Sequence, residues 1–169
     1  MRQTITFKEI LQEEEIKTYI RRADLSLERM GFTEHSFAHV MRVSKCAGDM
    51  LQQLGYDEHD VELARIAGYM HDIGNVINRI DHAQSGAIMA FRILDKMGMQ
   101  YEDIAKIIAA IGNHDESTAF PVSDVAAALI IADKSDVRRS RVRNADKSSF
   151  DIHDRVNYSC LLYTSDAAD

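Results

Sequence analysis

Apolar residues at Phe37, Val40, Val43, Ala47, Met50, Leu51 and Leu54 recur every three or four positions, and no stretch alternates convincingly with a period of two. The first spacing lays one apolar stripe along an α-helix, whereas a half-buried strand needs the second. The same rhythm returns in later runs, punctuated by Gly31, Gly55, Gly74, Gly98 and Gly112, residues that stop helices because they tolerate left-handed backbone. Start signals match these stops. Thr6 followed by Glu9 makes a capping-box pattern, and Thr33, Asp57 and Ser123 stand where later helices need an N-cap. A single proline and many Ala, Leu, Ile, Met and Glu residues favour helices too. The expected fold is all-α, one compact multi-helix bundle.

At 169 residues and 46% apolar, the chain can bury one real core but not two comfortable ones. A formal charge of −7 and a pI near 5.5 argue against general nucleic-acid binding, which depends on a basic surface. No apolar run approaches the roughly 20 residues of a membrane span, and "MRQTITFKEI" lacks the apolar region of a signal peptide. Two cysteines, Cys46 and Cys160, make no disulfide framework, so the cytoplasm is the expected location. The last ten residues, "CLLYTSDAAD", resemble the in-frame translation of a transposon-derived sequencing adapter. On that reading residues 160–169 are a non-native read-through tail, and the natural chain is cut short after about Ser159. Leaving out Asp166 and Asp169 moves the charge only from −7 to −5.

Polar residues interrupt the helices at telling places. His39 lies within one helix, His71 and Asp72 end the next, His82 opens another, His114 follows a fourth, and Asp133 sits inside "LIIADKSD". Burying an aspartate in such a segment is costly unless it is paired or binds a metal. His71 and Asp72 have two readings: a hydrogen-bonded cap at a helix end, or two ligands approaching one ion from different directions. Together His39, His71, Asp72 and Asp133 offer two nitrogen and two oxygen donors, a mixture suited to a catalytic metal with open positions.

In order and spacing these residues resemble the HD superfamily of metal-dependent phosphohydrolases, with His39 in "HVMRV", His71–Asp72 in "YMHDIGN" and Asp133 in "IIADKSD". The resemblance implies a helical HD domain over residues 33–140, preceded by a helical segment over 1–32 and followed by the start of a C-terminal segment over 141–159. It also implies one or two divalent ions per chain, with Fe, Mn, Zn, Co and Mg all open. Members with histidines placed like His82 and His114 use them for a second ion. Asp72 would then bridge the pair, His39, His71 and Asp133 would hold one ion, and His82 and His114 the other. The implied activity is hydrolysis of a phosphoester or phosphoanhydride bond in a small phosphorylated substrate, expected to be a nucleotide, through metal-activated water. Asp72, His82 and His114 would be nearest the chemistry, the histidines alternatively acting as bases or phosphate contacts. The other reading is a regulatory module that binds metal and nucleotide with little turnover. A homo-oligomer is open on either.

The chain departs from the family at a lysine that often follows the HD pair and is Asn75 here. It also lacks the Gly-Tyr-Pro segment of the cyclic-di-GMP subgroup and the acidic pair of (p)ppGpp hydrolases. The phosphate side could instead come from "DVRRSRVRN", with Arg138 and Arg139 nearest to Asp133, and from Lys134, whose other reading is a simple pair with Asp136. Alternatively the arginines form a solvated helix end. His35, one turn before His39, is expected beside the site or at the surface, and His59 in solvent. The pair His153–Asp154 reads as structural, Cys46 as a small core residue, and the methionines as packing.

Overall fold

In a computed structural model of the protein, residues 2–160 are described; Met1 and residues 161–169, which hold most of the expected read-through tail, lie outside them. The described residues form eight α-helices and no strand. Helices α1 (Phe7–Ile10) and α2 (Glu14–Arg29) precede α3 (Phe37–Gln53) and α4 (Glu58–Met70). A 3₁₀ turn, Ile73–Val76, then leads to α5 (His82–Lys96), α6 (Tyr101–Gly112) and α7 (Asp124–Ser135). Short 3₁₀ turns at Arg139–Arg141 and Lys147–Ser149 connect to α8 (Ile152–Ser159).

Local chemistry accounts for most boundaries. Thr6 and Glu9 form the reciprocal capping box, and Asp57 and Ser123 each accept a backbone N–H of the helix they open. Thr33 does not cap α3; Ser36 does, its hydroxyl accepting from the Ala38 amide. The intervening loop is fixed by tertiary partners: Asp24 accepts from the His35 amide, and the Arg141 carbonyl accepts from the Glu34 amide. His59 departs from its expected exposure, because Asp103 of α6, itself buried, pairs with its half-exposed ring at 2.8 Å. Cys46 is half-buried against the core.

One core runs through the bundle, from Ile10, Ile16 and Ile20 at the N-terminal end to Leu129 and Ala132 of α7. Helix α3 packs on α4 and α7, α4 also contacts α6, and α5 lies against α6 and the 3₁₀ turn. Two glycines set close approaches between neighbouring elements. A Cβ on Gly68 would stand 2.7 Å from the Ser44 Cα, so α3 and α4 close together only because it is absent. A Cβ on Gly74 would meet the His82 carbonyl at 2.0 Å, so the turn after the HD pair can press against the start of α5. No helix among the described residues is long and apolar enough to cross a membrane.

Candidate metal centre

Five of the six singled-out histidines and aspartates are almost wholly buried: His39, His71, Asp72, His82 and His114 are at most 5% exposed. The sixth, Asp133, keeps 12% of its side-chain surface. They come from the first turn of α3, the ends of α4 and α6, the start of α5 and the last turn of α7, and they converge on one another. There Asp72, His82, His114 and Asp133 line a cavity of about 200 Å³ together with Arg79, Asp115, Lys134 and Arg141, while His39 and His71, wholly buried, approach it only through Asp72 and Asp133.

The tautomers follow from geometry. His71, His82 and His114 each donate Nδ1–H to the carbonyl three residues earlier, Gly68, Arg79 and Ile111, at 2.8, 3.0 and 2.7 Å. A carbonyl can only accept, so Nδ1 must carry the proton. In the neutral ring Nε2 then holds the lone pair. His39 is anchored differently, its Nδ1 lying 2.8 Å from a carboxylate oxygen of Asp136. The cap and ligand readings of His71 are thus compatible, since one nitrogen caps α4 while the other faces His39 and the carboxylates of Asp72 and Asp133.

The four Nε2 atoms meet in two pairs, His39 with His71 and His82 with His114, each 3.3 Å apart. Two lone pairs at that distance repel unless a proton or another cation lies between them. Asp133 Oδ1 stands 3.2 and 3.6 Å from the His39 and His71 nitrogens, and Asp72 Oδ2 3.6 and 3.2 Å from the same two. The other oxygen, Asp72 Oδ1, lies 3.6 Å from His82 Nε2 and 3.9 Å from His114 Nε2. Around an ion with metal–ligand bonds of about 2.0–2.2 Å, neighbouring donors stand about 3.0–3.6 Å apart. Asp72 Oδ2 is buried without a hydrogen-bond partner, an orphan that an ion would satisfy. The donor set therefore fits a metal, with His39, His71 and Asp72 forming one group able to hold an ion and Asp72, His82 and His114 another.

The electrostatics divide the same way. Burial works against a proton on His71, but Asp72 and Asp133 outweigh it and hold the ring up at about 10. Burial and the charge on His71 push His114 down to about 4, and burial lowers His82 as well. Despite their burial, Asp72 and Asp133 stay well below the usual carboxylate range because of the neighbouring histidines.

The arginine run lies differently from its sequence expectation. Arg138 is buried, donating to both carboxylate oxygens of Asp136 and to Glu34. Arg139 donates to the Tyr158 carbonyl and stacks over that ring, and neither arginine lines the cavity. Lys134 does line it, but its amine is 2.7 Å from Asp133, not on Asp136. His35 lines the cavity too, its ring edge-on to His39 and its Nδ1 2.7 Å from the Thr33 carbonyl. His153 stands at the mouth, 3.1 Å from Glu116, while Asp154 is buried with one oxygen unpartnered. Three further residues contribute that the sequence did not point to as part of the site. Asp136 orients His39, Arg79 reaches His82, and Asp115 extends the second pair at 3.9 Å from His82. One weak signal existed for Asp115: it repeats a His-Asp pair, directly after His114.

Comparison with known proteins agrees with this picture. The sequence model described as "HD domain" matches residues 36–148. A solved structure described as a predicted HD superfamily hydrolase, from an uncultured Thermotogales bacterium, superposes with a TM-score of 0.57 at 26% identity, covering 77% of this chain and 73% of that one. An uncharacterized protein of Methanocaldococcus jannaschii is 24% identical over 170 residues, 87% of this chain and 65% of that protein. Ribonuclease Y of Bacillus cereus is 30% identical over 116 residues, which are 69% of this chain and only 21% of the ribonuclease.

Proposed function

The chain belongs to the HD-domain family, and from that premise we propose that it is a divalent-metal-dependent phosphohydrolase acting on a small phosphorylated substrate, a nucleotide by preference. One observation carries the reading: two facing Nε2 pairs, each ring locked through Nδ1, stand on either side of the two oxygens of Asp72. In this reading His39, His71, Asp133 and one oxygen of Asp72 hold a first ion, and His82, His114 and the other oxygen hold a second. Ions bound there would make water easier to deprotonate and offset charge on the phosphoryl oxygens during in-line displacement.

The chain's own residues do the positioning. Asn75 donates to Asp72 Oδ1 at 2.9 Å and to the Asp72 carbonyl at 3.0 Å, fixing the carboxylate so that its oxygens face opposite clusters. Asp136 fixes the ring of His39, and the buried Arg138 fixes Asp136. Burial of the histidines keeps bulk water from competing for their lone pairs.

The decisive experiment is a phosphate-release screen over nucleoside mono-, di- and triphosphates and dinucleotides with Mn²⁺ or Co²⁺, alongside metal analysis. Turnover that vanishes in His39→Ala is the expected outcome. A short RNA belongs in the screen because ribonuclease Y is among the relatives, although a charge of −7 disfavours it. The second reading, a metal- and nucleotide-binding regulatory module, draws on Asn75, which stands where the family often carries a lysine. Single-turnover assays separate the two. A bound nucleotide that survives metal loading intact would sink the enzyme reading.

A further inference from the structure

The cations lining the cavity are not equivalent. Lys134 is bound to Asp133 at 2.7 Å, and Arg141 donates to the carbonyls of Glu34 and Asp136 at 2.9 and 2.7 Å. The Arg141 fork is thus taken up by backbone carbonyls, and the charge of Lys134, though 41% of its side chain is accessible, is paired with Asp133. Arg79 is different. Its Nη1 donates to His82 Nε2 at a long 3.3 Å, its Nη2 is 4.0 Å from Asp115 Oδ1, and its guanidinium lies 5.8 Å from the Phe32 ring. No short carboxylate or carbonyl contact consumes its fork, and 24% of its side chain stays accessible.

Its placement is tied to the second histidine pair. The Arg79 carbonyl accepts from His82 Nδ1 at 3.0 Å while the Arg79 side chain donates to Nε2 of the same ring. Arg79 thus brackets His82 from both sides. A cation taking the Nε2 lone pair would release the guanidinium's N–H groups at the cavity wall, next to the ring nitrogen that lies 3.6 Å from Asp72 Oδ1. A planar five-donor fork presented to a cleft is matched by a tetrahedral oxyanion, which it can bind through two parallel hydrogen bonds.

We propose that Arg79 is the phosphate-binding residue of this cavity and that it fills the chemical role vacated where Asn75 is committed to Asp72. The proposal rests on the hydrolase reading only for the source of the phosphate, because oxyanion binding can be measured without turnover.

The test is calorimetric titration of inorganic phosphate into Mn²⁺-loaded protein, comparing wild type with Arg79→Gln, Arg79→Lys and Arg139→Gln. Metal content is measured in each. Loss of a charge-assisted fork predicts phosphate binding weakened about tenfold or more in Arg79→Gln. Arg79→Lys, which keeps the charge and loses the fork, should fall in between, and metal content should not change. The proposal is overturned if Arg79→Gln binds phosphate like wild type, if Arg139→Gln weakens it as much, or if Arg79→Gln loses bound metal in step with phosphate. A protein that hydrolyses nothing in the nucleotide screen but loses phosphate affinity in Arg79→Gln would end the hydrolase reading and leave this one standing.

Discussion

His71 and His114 lie with ring centroids 4.9 Å apart, both buried and both anchored by Nδ1 to the carbonyl three residues back, yet their charge preferences are opposite. Carboxylates decide the difference. Asp72 and Asp133 each place a carboxylate oxygen 3.2–3.6 Å from His71 Nε2 and, against the effect of burial, keep it protonated up to about 10. His114 is depressed by burial and by the positive charge on His71, which Asp133 and Asp72, the latter at 3.9 Å, offset only in part, so it holds its proton only below about 4. Without metal, a proton therefore relieves the crowding in the first pair. In the second pair Arg79 supplies the only cation near His82 among the described residues. The first cluster is the richer in carboxylates, and the second is a histidine pair whose Nε2 side also meets an arginine.

That contrast can be broken most severely at the residue the two clusters share. Asp72→Ala should abolish binding at both, with metal affinity falling well beyond the roughly 10–100-fold typical of losing an outer-shell partner; plasma mass spectrometry of purified protein measures it. Single-sided substitutions come next. His39→Ala should lose the tightly held ion, whereas His82→Ala should keep it and drop only the second, so that content moves from two ions towards one. An unchanged single ion in His82→Ala would remove the dinuclear assignment. A smaller effect is expected from Asp136→Asn, which weakens the acceptor on His39 Nδ1 and should cost about 10–100-fold in affinity at the first cluster alone. Nitrogen-15 spectra of the histidine rings would show His39 changing while His82 and His114 stay put.

The smallest effect is on the stability of metal-free protein with pH. Since His71 is raised above the ordinary 6.5, its stabilisation is complete below that value and is lost as pH rises towards about 10. His114 is depressed, so its contribution is present above 6.5 and is lost as pH falls towards about 4. Together the two place a stability maximum near the ordinary histidine value. Urea melts of chelator-treated protein should show it, with His114→Gln flattening the acid limb and His71→Gln the alkaline one. A metal-free protein whose stability is flat from pH 4 to 10 would contradict the contrast.

Much of this centre was legible in the linear chain. The helical period, the caps at Thr6, Asp57 and Ser123, and the ordered positions of His39, His71, Asp72, His82, His114 and Asp133 are local or motif properties, and the six residues do meet. The arginine run was harder to read. Four arginines close to Asp133 look like a phosphate clamp until Asp136, Glu34, Tyr158 and Asp24 are found to occupy them. Glu34 and Asp24 are more than a hundred residues from their arginines in sequence, so no spacing rule announces them. Arg79 and Asp115 are the converse case, ordinary charges in sequence that the fold turns towards the cavity.

By itself, then, the sequence determined the helices, because capping and apolar periodicity act over three or four residues, and it marked the donors, because costly polar residues interrupted apolar faces. Tertiary structure decided how those donors are used. The glycine contacts at Gly68 and Gly74 set how closely α3, α4 and α5 approach. That approach sets how far the Nε2 atoms stand from one another and from the carboxylates of Asp72 and Asp133, and so which histidine keeps its proton. Hydrogen-bond direction and Coulomb energy depend on distances of a few ångströms across the bundle, and those distances exist only after the chain has packed.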